Sequence, residues 1–359
     1  MAVSEPISLT RRVIAPPRPE GENRLLDPDG RVAKALRVAL TERCNLRCTY
    51  CMPAEGLAWT PNEEMLTDEE MIRLISIAVT RLGVHQVRFT GGEPLLRRGL
   101  ESIIGATSAL RTAAGAPVQT SLTTNGLGLD KRAASLASAG LTRVNVSVDS
   151  LQPARFAEIT RRDRLHDVLK GLTAAAEAGL APVKINSVLM RDINDDEAPA
   201  LLTWALANGY QLRFIEQMPL GPHGVWVREG MVTAQEILAA LQPHFDLVPD
   251  GEDARNGAPA ETWSVREHGE TVGKVGIIAS VTRPFCGTCD RTRLTSDGQI
   301  RNCLFARDES DLRALLRGDA DDEAIANAWR IAMWGKLPGH GIDDEGFLQP
   351  TRMMSAIGG

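Results

Sequence analysis

The chain has 359 residues, 43% of them hydrophobic and 24% charged, with a net charge of −6. That is enough chain for one barrel-sized unit plus a smaller appendage. The acidic balance excludes broad non-specific nucleic-acid binding but leaves room for a locally basic pocket. No apolar run approaches the roughly 20 residues that span a bilayer, and the N-terminus lacks the apolar core of a secretory signal. No nucleic-acid or membrane partner is expected, and the cytoplasm is the expected compartment.

Residues 1–30 are rich in Pro, Arg and acidic side chains and read as a mostly disordered extension, with Arg11 and Arg12 solvated. From Lys34 onward β-like and helix-like stretches alternate. The strand candidates are Ala35–Leu40, Gln86–Thr90, Val118–Thr123, Arg143–Val148, Val183–Leu189 and Gln211–Gln217. The clearest helix opens at Thr67, where Glu70 completes a capping box, and continues through Met71, Leu74, Ile75, Ala78 and Leu82 at helical spacing.

Six strand–helix repeats predict a parallel α/β sheet. Several strands carry one polar face: Asn145, Ser147 and Asp149 alternate with Val144, Val146 and Val148, and Lys184 and Asn186 with Val183 and Ile185. A strand buried on both sides reads as continuous hydrophobics, so polar faces predict a wide, wet lumen. The expected fold over residues 31–220 is an incomplete parallel (β/α)6 TIM-like barrel.

The pattern breaks at Pro219, Gly221, Pro222 and Gly224. A helix over Ala234–Leu241, a hairpin-like pair (Thr262–Arg266 and Val272–Ala279) and helical segments near Asp311–Leu316 and Ala324–Trp334 follow. Residues 221–359 therefore read as a smaller C-terminal α+β domain that ends in Gly358-Gly359.

The six cysteines form two triplets with none left over: Cys44, Cys48 and Cys51, then Cys286, Cys289 and Cys303. A disulfide framework belongs to smaller, secreted chains. The first triplet, C-x3-C-x2-C, lets three thiolates on one short loop hold three corners of a [4Fe–4S] cluster and leaves one iron open to a ligand. A structural zinc site needs four ligands, and no fourth Cys or His lies near; His85 is a whole helix away. The second triplet lacks the further C-x-x-C pair of a zinc ribbon. Thr90-Gly91-Gly92-Glu93-Pro94 ends the next strand; its glycines permit close approach of the backbone to a ligand, and Glu93 is a candidate for the ammonium of a methionine.

The triplet spacing and the GGEP turn together resemble the radical S-adenosylmethionine superfamily. The strings LRVALTERCNLRCTYCMP, VRFTGGEPLLR, LTTNG, VNVSVDSL, VKINSVLMRDIN, LRFIEQM and FCGTCDRTRL, with the terminal GG, resemble in order the GTP 3′,8-cyclase family. The likeness runs from about Leu36 to Gly359. It implies a lyase of molybdenum cofactor biosynthesis that converts GTP to (8S)-3′,8-cyclo-7,8-dihydroguanosine 5′-triphosphate by radical chemistry.

The resemblance also implies two [4Fe–4S] clusters, the second carried by the C-terminal domain with its open iron facing GTP, and S-adenosylmethionine at the first. It assigns Tyr50, Gly92, Ser147 and Met218, beside Glu93, to S-adenosylmethionine. To GTP it assigns Arg37, Arg88, Thr123, Lys184, Arg291, Thr292 and Arg293, with Arg213 a further triphosphate candidate. Arg291, Arg293, Gly358 and Gly359 are its expected catalytic participants, the tail threading into the site.

Arg37, Arg88, Lys184 and Arg213 come from the predicted strands, whose parallel order is expected to bring their ends to one mouth. Arg291 and Arg293 alternate in an extended segment, so that their side chains share a face. Asn145 and Asp149 are expected to be structural. Implied partners are a flavodoxin- or ferredoxin-like reductant, a downstream cyclic pyranopterin monophosphate synthase and a second copy in a homodimer. Two other readings stay open on the residues: a peptide-modifying radical enzyme with an auxiliary cluster, and a non-catalytic electron carrier.

Overall fold

The computed structural model describes residues 16–251, 255 and 257–358. Arg11, Arg12 and Gly359 lie outside the described residues. The first half alternates as its patterning requires: β1 (Ala35–Ala39), α1 (Asp68–Thr80), β2 (Gln86–Thr90), α2 (Leu100–Ala109), β3 (Gln119–Thr124), α3 (Leu129–Ser138), β4 (Arg143–Ser147), α4 (Pro153–Thr160), α5 (Leu165–Glu177), β5 (Lys184–Val188), α6 (Ala198–Ala207) and β6 (Gln211–Ile215). The Thr67 side chain accepts from Glu70 N and the Glu70 carboxylate accepts from Thr67 N, so the capping box starts α1 where expected.

Strands β1 to β6 pair in parallel in chain order. Their outward side chains, among them Val38, Phe89, Leu122, Val146, Ile185 and Phe214, join Met71, Ile103, Leu136, Leu172 and Leu201 of the helices in one core. Burying each such side chain is worth about 1.5–3 kcal/mol. Laid flat, β1 and β6 would stand about 24 Å apart, five spacings of about 4.8 Å. Yet Arg37 of β1 and Arg213 of β6 line the same cavity, so the sheet curls around a lumen.

The remaining elements are α7 (Ala234–Leu241), β7 (Asp246–Pro249), β8 (Glu261–Glu267), β9 (Glu270–Ile278), β10 (Arg291–Leu294), β11 (Gln299–Arg301), β12 (Ser310–Asp311), α8 (Leu312–Arg317), α9 (Asp322–Trp334) and α10 (Met354–Ile357). They do not build a sheet of their own, as a separate appendage over 221–359 would. β9 adds in parallel to β6 and carries β8 and β7, while β10 adds in parallel to β1 and carries β11 and β12. The sheet order is β12-β11-β10-β1-β2-β3-β4-β5-β6-β9-β8-β7, with no pairing that closes it among the described residues. The later segment thus extends both edges of the incomplete barrel, an arrangement that sequence order does not reveal.

The disordered extension expected over residues 1–30 does not hold for its last part. Leu25 and Asp27 are buried, and the Asp27 carboxylate accepts from Arg31 Nε at 2.6 Å. Among the described residues no helix is long and apolar enough to cross a membrane.

Candidate active site

The loop after β1 carries Cys44, Cys48 and Cys51, and main-chain bonds hold it. Arg47 N donates to Thr160 O (3.0 Å) and Thr49 N to Ile159 O (2.9 Å), while Cys51 N and Met52 N donate back to Cys48 O (3.0 Å each). All three thiols are free and half-buried. Burial, then the neighbouring thiols and Asp149, pushes Cys51 up to about 12 and Cys48 well above its usual range. Such thiols ionise only against a cation, and bound iron supplies one. Among the described residues no three His, Cys, Asp or Glu side chains are grouped as donors to a single ion. A cubane places each thiolate on its own iron, so three soft donors spread over one loop fit it.

The Gly91-Gly92-Glu93 turn lies directly on this loop. Gly92 N donates to Thr41 O (2.7 Å) and Glu93 N to Arg43 O (2.8 Å). A Cβ on Gly92 would overlap the carbonyl oxygens of Glu42 and Arg43. The close approach that glycine permits is therefore to the cysteine loop itself.

Glu93 departs from expectation. Its carboxylate is fully buried and accepts from Leu95 N (2.9 Å), Thr124 Oγ1 (2.7 Å) and Asn125 N (2.7 Å). Burial outweighs these bonds and pushes it up to about 7. It locks the end of β3 in place instead of facing a ligand. Asn125, so placed, donates to Asn45 Oδ1 (2.7 Å) and faces Cys44 Sγ (3.7 Å).

Of the other residues expected near the cofactor, Tyr50 donates its hydroxyl to Asp149 Oδ2 at 2.8 Å. Asp149 also accepts from Val188 N (2.9 Å) and is pushed up to about 6 by burial. Ser147 ends β4. Met218 packs against the cluster of Leu220, Phe305 and Ile357 and lines a cavity with Cys303.

Register explains the basic lumen. Across β10, β1, β2, β3 and β4 the paired residues are Arg293, Arg37, Arg88, Ser121 and Arg143, one row on one face. The next row runs Thr123, Asn145, Lys184 and Gln211. Arg213 enters beside it, donating from Nη2 to Asn145 Oδ1 (3.0 Å), while Asn145 Nδ2 donates to Thr123 Oγ1 (3.1 Å). Gly276 opposes Arg213, and a Cβ there would crowd its side chain.

Arg37, Arg88, Arg143, Lys184, Arg213 and Arg291 line one cavity of about 260 Å³. Among the described residues none of these six has a carboxylate partner within ion-pair distance. The Nε groups of Arg37 and Arg213 are buried without a hydrogen-bond partner. Burial and mutual repulsion bring Lys184 down to about 8, and burial with repulsion from Arg143 brings Arg213 down to about 10. Uncompensated buried cations in this number call for a multiply charged anion.

These cations do not gather at the mouth that holds the cysteine loop. Arg37 lies three residues before Leu40 on β1, so they sit about 10 Å deeper along the lumen, at about 3.3 Å per residue. Position within each strand, which alternation does not encode, decides this. Arg143 is a member that sequence reasoning missed, although it shares the alternation of Asn145. Asn145, expected to be structural, is the hub that orients Arg213.

Cys286, Cys289 and Cys303 line a second cavity with Met218, Arg291 and Arg293. Arg291 belongs to both cavities and joins them. Thr292 points the other way: it is fully buried, and its hydroxyl accepts from Trp329 Nε1 at 2.9 Å. Strand alternation that sends Arg291 and Arg293 inward sends Thr292 to the core, leaving only its main chain to the lumen.

Lys336, on a loop with no periodic signal, is buried and donates to Cys289 Sγ (3.5 Å) and Cys289 O (3.0 Å). Although burial opposes it, this ammonium with Arg291 draws Cys289 below the usual thiol value. Burial and the other two thiols push Cys286 up to about 11. His340 lines the same cavity, but its Nε2 is engaged with Ser280 O at 3.0 Å, and the three thiols again fit a cluster with one open iron.

The tail closes the site. Met354 N donates to Leu220 O at 2.9 Å, and Arg293 Nη1 donates to Gly358 O. Gly358 takes φ +71°, and a Cβ on it would overlap Thr90 Cγ2.

Residues 38–205 match the Radical SAM superfamily and residues 210–342 match Molybdenum Cofactor Synthesis C. The chain is 61% identical over 340 residues to a GTP 3′,8-cyclase of Streptomyces coelicolor, covering 95% of this chain and 98% of that one. It is 58% identical over 345 residues to that of Corynebacterium glutamicum, covering 96% and 91%. Among solved structures it is similar to Streptococcus suis SuiB bound to S-adenosylmethionine, with TM-score 0.56 and 14% identity over 87% of this chain and 68% of that one. That likeness concerns the fold alone.

Proposed function

The chain belongs to the GTP 3′,8-cyclase family, and from that premise we propose how its residues divide the reaction. The enzyme is a radical lyase that cyclises GTP to (8S)-3′,8-cyclo-7,8-dihydroguanosine 5′-triphosphate in molybdenum cofactor biosynthesis. Its cofactors are two [4Fe–4S] clusters and S-adenosylmethionine. When bound, the cluster at the first triplet and S-adenosylmethionine supply the one-electron cleavage that generates a hydrogen-abstracting radical.

Cys44, Cys48 and Cys51 hold the first cluster, and Cys286, Cys289 and Cys303 the second. Tyr50, Gly92, Ser147 and Met218 surround S-adenosylmethionine. Glu93 serves that site indirectly, through Asn125 and the cysteine loop. Arg37, Arg88, Lys184 and Arg213 grip the triphosphate deep in the lumen, with Thr123 held beside them through Asn145. Arg291 and the Thr292 main chain guide the nucleoside toward the second triplet, while Arg293, in one row with Arg37 and Arg88, reaches the phosphates from that side. The ribose then lies between the two mouths, along the axis that separates the cysteine loop from the cations. Arg293 and the tail at Gly358 complete the wall around it and exclude water, and the family implies that Gly359 takes part with them.

The observation that carries this division is the group of lumen cations, none in an ion pair among the described residues, joined through Arg291 to the second triplet. It also speaks against a peptide substrate, which carries no comparable run of charge. The test is anaerobic reconstitution. Iron and sulfide are counted per chain, and GTP is then supplied with S-adenosylmethionine and a reductant. GTP consumption matched by 5′-deoxyadenosine is expected; deoxyadenosine formed with GTP untouched overturns the assignment.

Residues 31–220 form the radical unit and 221–359 the unit with the second cluster and the tail. A flavodoxin- or ferredoxin-like protein supplies the electron, a cyclic pyranopterin monophosphate synthase consumes the product, and the enzyme pairs as a homodimer. These readings rest on the family. Six cysteines outside any disulfide support a reducing compartment, the cytoplasm.

A further inference from the structure

We propose that Arg352 is the latch that seats the C-terminal tail in the active site, a positioning residue that acts through Gly358. The proposal rests on the reading that the tail takes part in turnover.

The Arg352 guanidinium gathers three carboxylates. It donates in a fork to Asp297, Nη1 to Oδ1 at 3.0 Å and Nη2 to Oδ2 at 2.7 Å. Its Nε lies 2.9 Å from Glu309 Oε1, and Nη1 stands 3.8 Å from Glu42 Oε1. The side chain is only 23% exposed, so the junction is partly shielded from solvent.

Each carboxylate comes from a different working segment. Glu42 lies two residues before Cys44, Asp297 sits in the turn after β10 and its Arg293, and Glu309 follows Cys303 by six positions. The acids are themselves placed. Thr295 Oγ1 donates to Asp297 Oδ1 (2.5 Å), Thr60 Oγ1 donates to Glu42 (3.0 Å), and fully buried Arg301 pairs with Glu309.

Arg352 is the cation that these segments share. Among the described residues the ion pairs of Glu42 and Asp297 run to Arg352 and those of Glu309 to Arg352 and Arg301, so without Arg352 two of the three acids lose their cation in a partly shielded place.

What Arg352 anchors is a segment unable to hold itself. α10 is a single turn, too short to persist by its own hydrogen bonds. It is pinned at its far end by Arg293 on Gly358 O and nearer its start by Met354 N on Leu220 O. Arg352 is the pin at its near end, where the tail leaves the surface. Because the fork needs Asp297, and Glu42 and Glu309 lie on either side, the tail seats only when both cysteine-bearing segments stand in their final positions. A planar, bidentate group suits this; a lysine offers one point charge to the same acids.

The test uses the reconstituted full-length enzyme and its R352Q, R352K and D297N variants. Hydrogen exchange is followed on the peptide covering 353–358, with peptides from β3 to β5 as an internal control. R352Q and D297N are expected to speed exchange of the tail by about ten-fold or more, with R352K intermediate and the control peptides unchanged. A tail as protected as in the parent chain in both R352Q and D297N overturns the latch. GTP cyclisation and uncoupled S-adenosylmethionine cleavage are measured on the same samples. Faster tail exchange with cyclisation lost supports both the latch and the tail's role. Faster exchange with cyclisation intact supports the latch and removes the tail from the reaction instead.

Discussion

Lys184 is the lumen cation that titrates near working pH. Burial first, then Arg213, Arg143 and Arg88, hold it at about 8, so in the free enzyme it loses its charge as pH rises through that value. A triphosphate favours the charged form and restores the proton. GTP binding above pH 8 is therefore expected to take up one proton, and KM to rise with pH there. Calorimetry in buffers of different ionisation heat measures the uptake, and Lys184→Arg, which stays charged, should abolish it. An unchanged profile in that variant would place the titration elsewhere.

Arg293 is tested by ligand, not by pH. Arg293→Ala is expected to weaken GTP by about 1.5–3 kcal/mol and guanosine by less, because the nucleoside has no phosphates to grip. Equal losses would make Arg293 a structural support of the tail alone.

At the scale of elements, the turn after β2 and the loop after β1 behave as one part. Gly92→Ala forces a Cβ into two carbonyl oxygens of the cysteine loop, and a backbone shift of that kind costs about 1–3 kcal/mol. The expected outcome is a chain that keeps its second cluster and fails to load its first, read as iron content falling by about half. Full iron loading would show that the loop yields without cost.

The two triplets lie on separate elements, so their effects should separate as well. Cys48→Ala should abolish S-adenosylmethionine cleavage. Cys289→Ala should retain much of the uncoupled cleavage while losing GTP binding and cyclisation. A Cys289→Ala enzyme that cyclises GTP at the parent rate would remove the second cluster from the substrate site.

For the whole molecule, the two ends of the chain matter more than their composition suggests. Arg31, held by Asp27, donates to Cys286 O and Pro338 O (2.8 Å each) and to Leu337 O (2.9 Å). A chain starting at residue 16 is expected to load both clusters. One starting at residue 34 should lose the second, as measured by iron per chain; full iron in the shorter chain would show this clamp to be dispensable. At the other end, deleting Gly358 and Gly359 should leave both clusters and S-adenosylmethionine binding intact and severely slow formation of the cyclised nucleotide. Normal turnover in a chain ending at Ile357 would return the tail to the status of an ordinary terminus.

The sequence by itself determined the strand–helix repeat, because alternation and helical spacing are local and each strand buries one face. It determined the donor chemistry too: three cysteines within eight residues leave few alternatives to a metal centre. Of the lumen cations, Lys184 was visible as a polar position on an alternating strand, Arg37, Arg88, Arg213 and Arg291 came from the family resemblance, and Arg143 went unseen. Only the tertiary structure decided which of these meet. Register, a pairing between distant segments, put Arg293 beside Arg37 and Arg88 and turned Thr292 away. It set the cations deep in the lumen and split the late strands between both edges of the sheet. Glu93 and Asn145 both ended buried in hydrogen bonds to the fold, because burial and hydrogen-bond partners are set by distant segments, which no local pattern encodes.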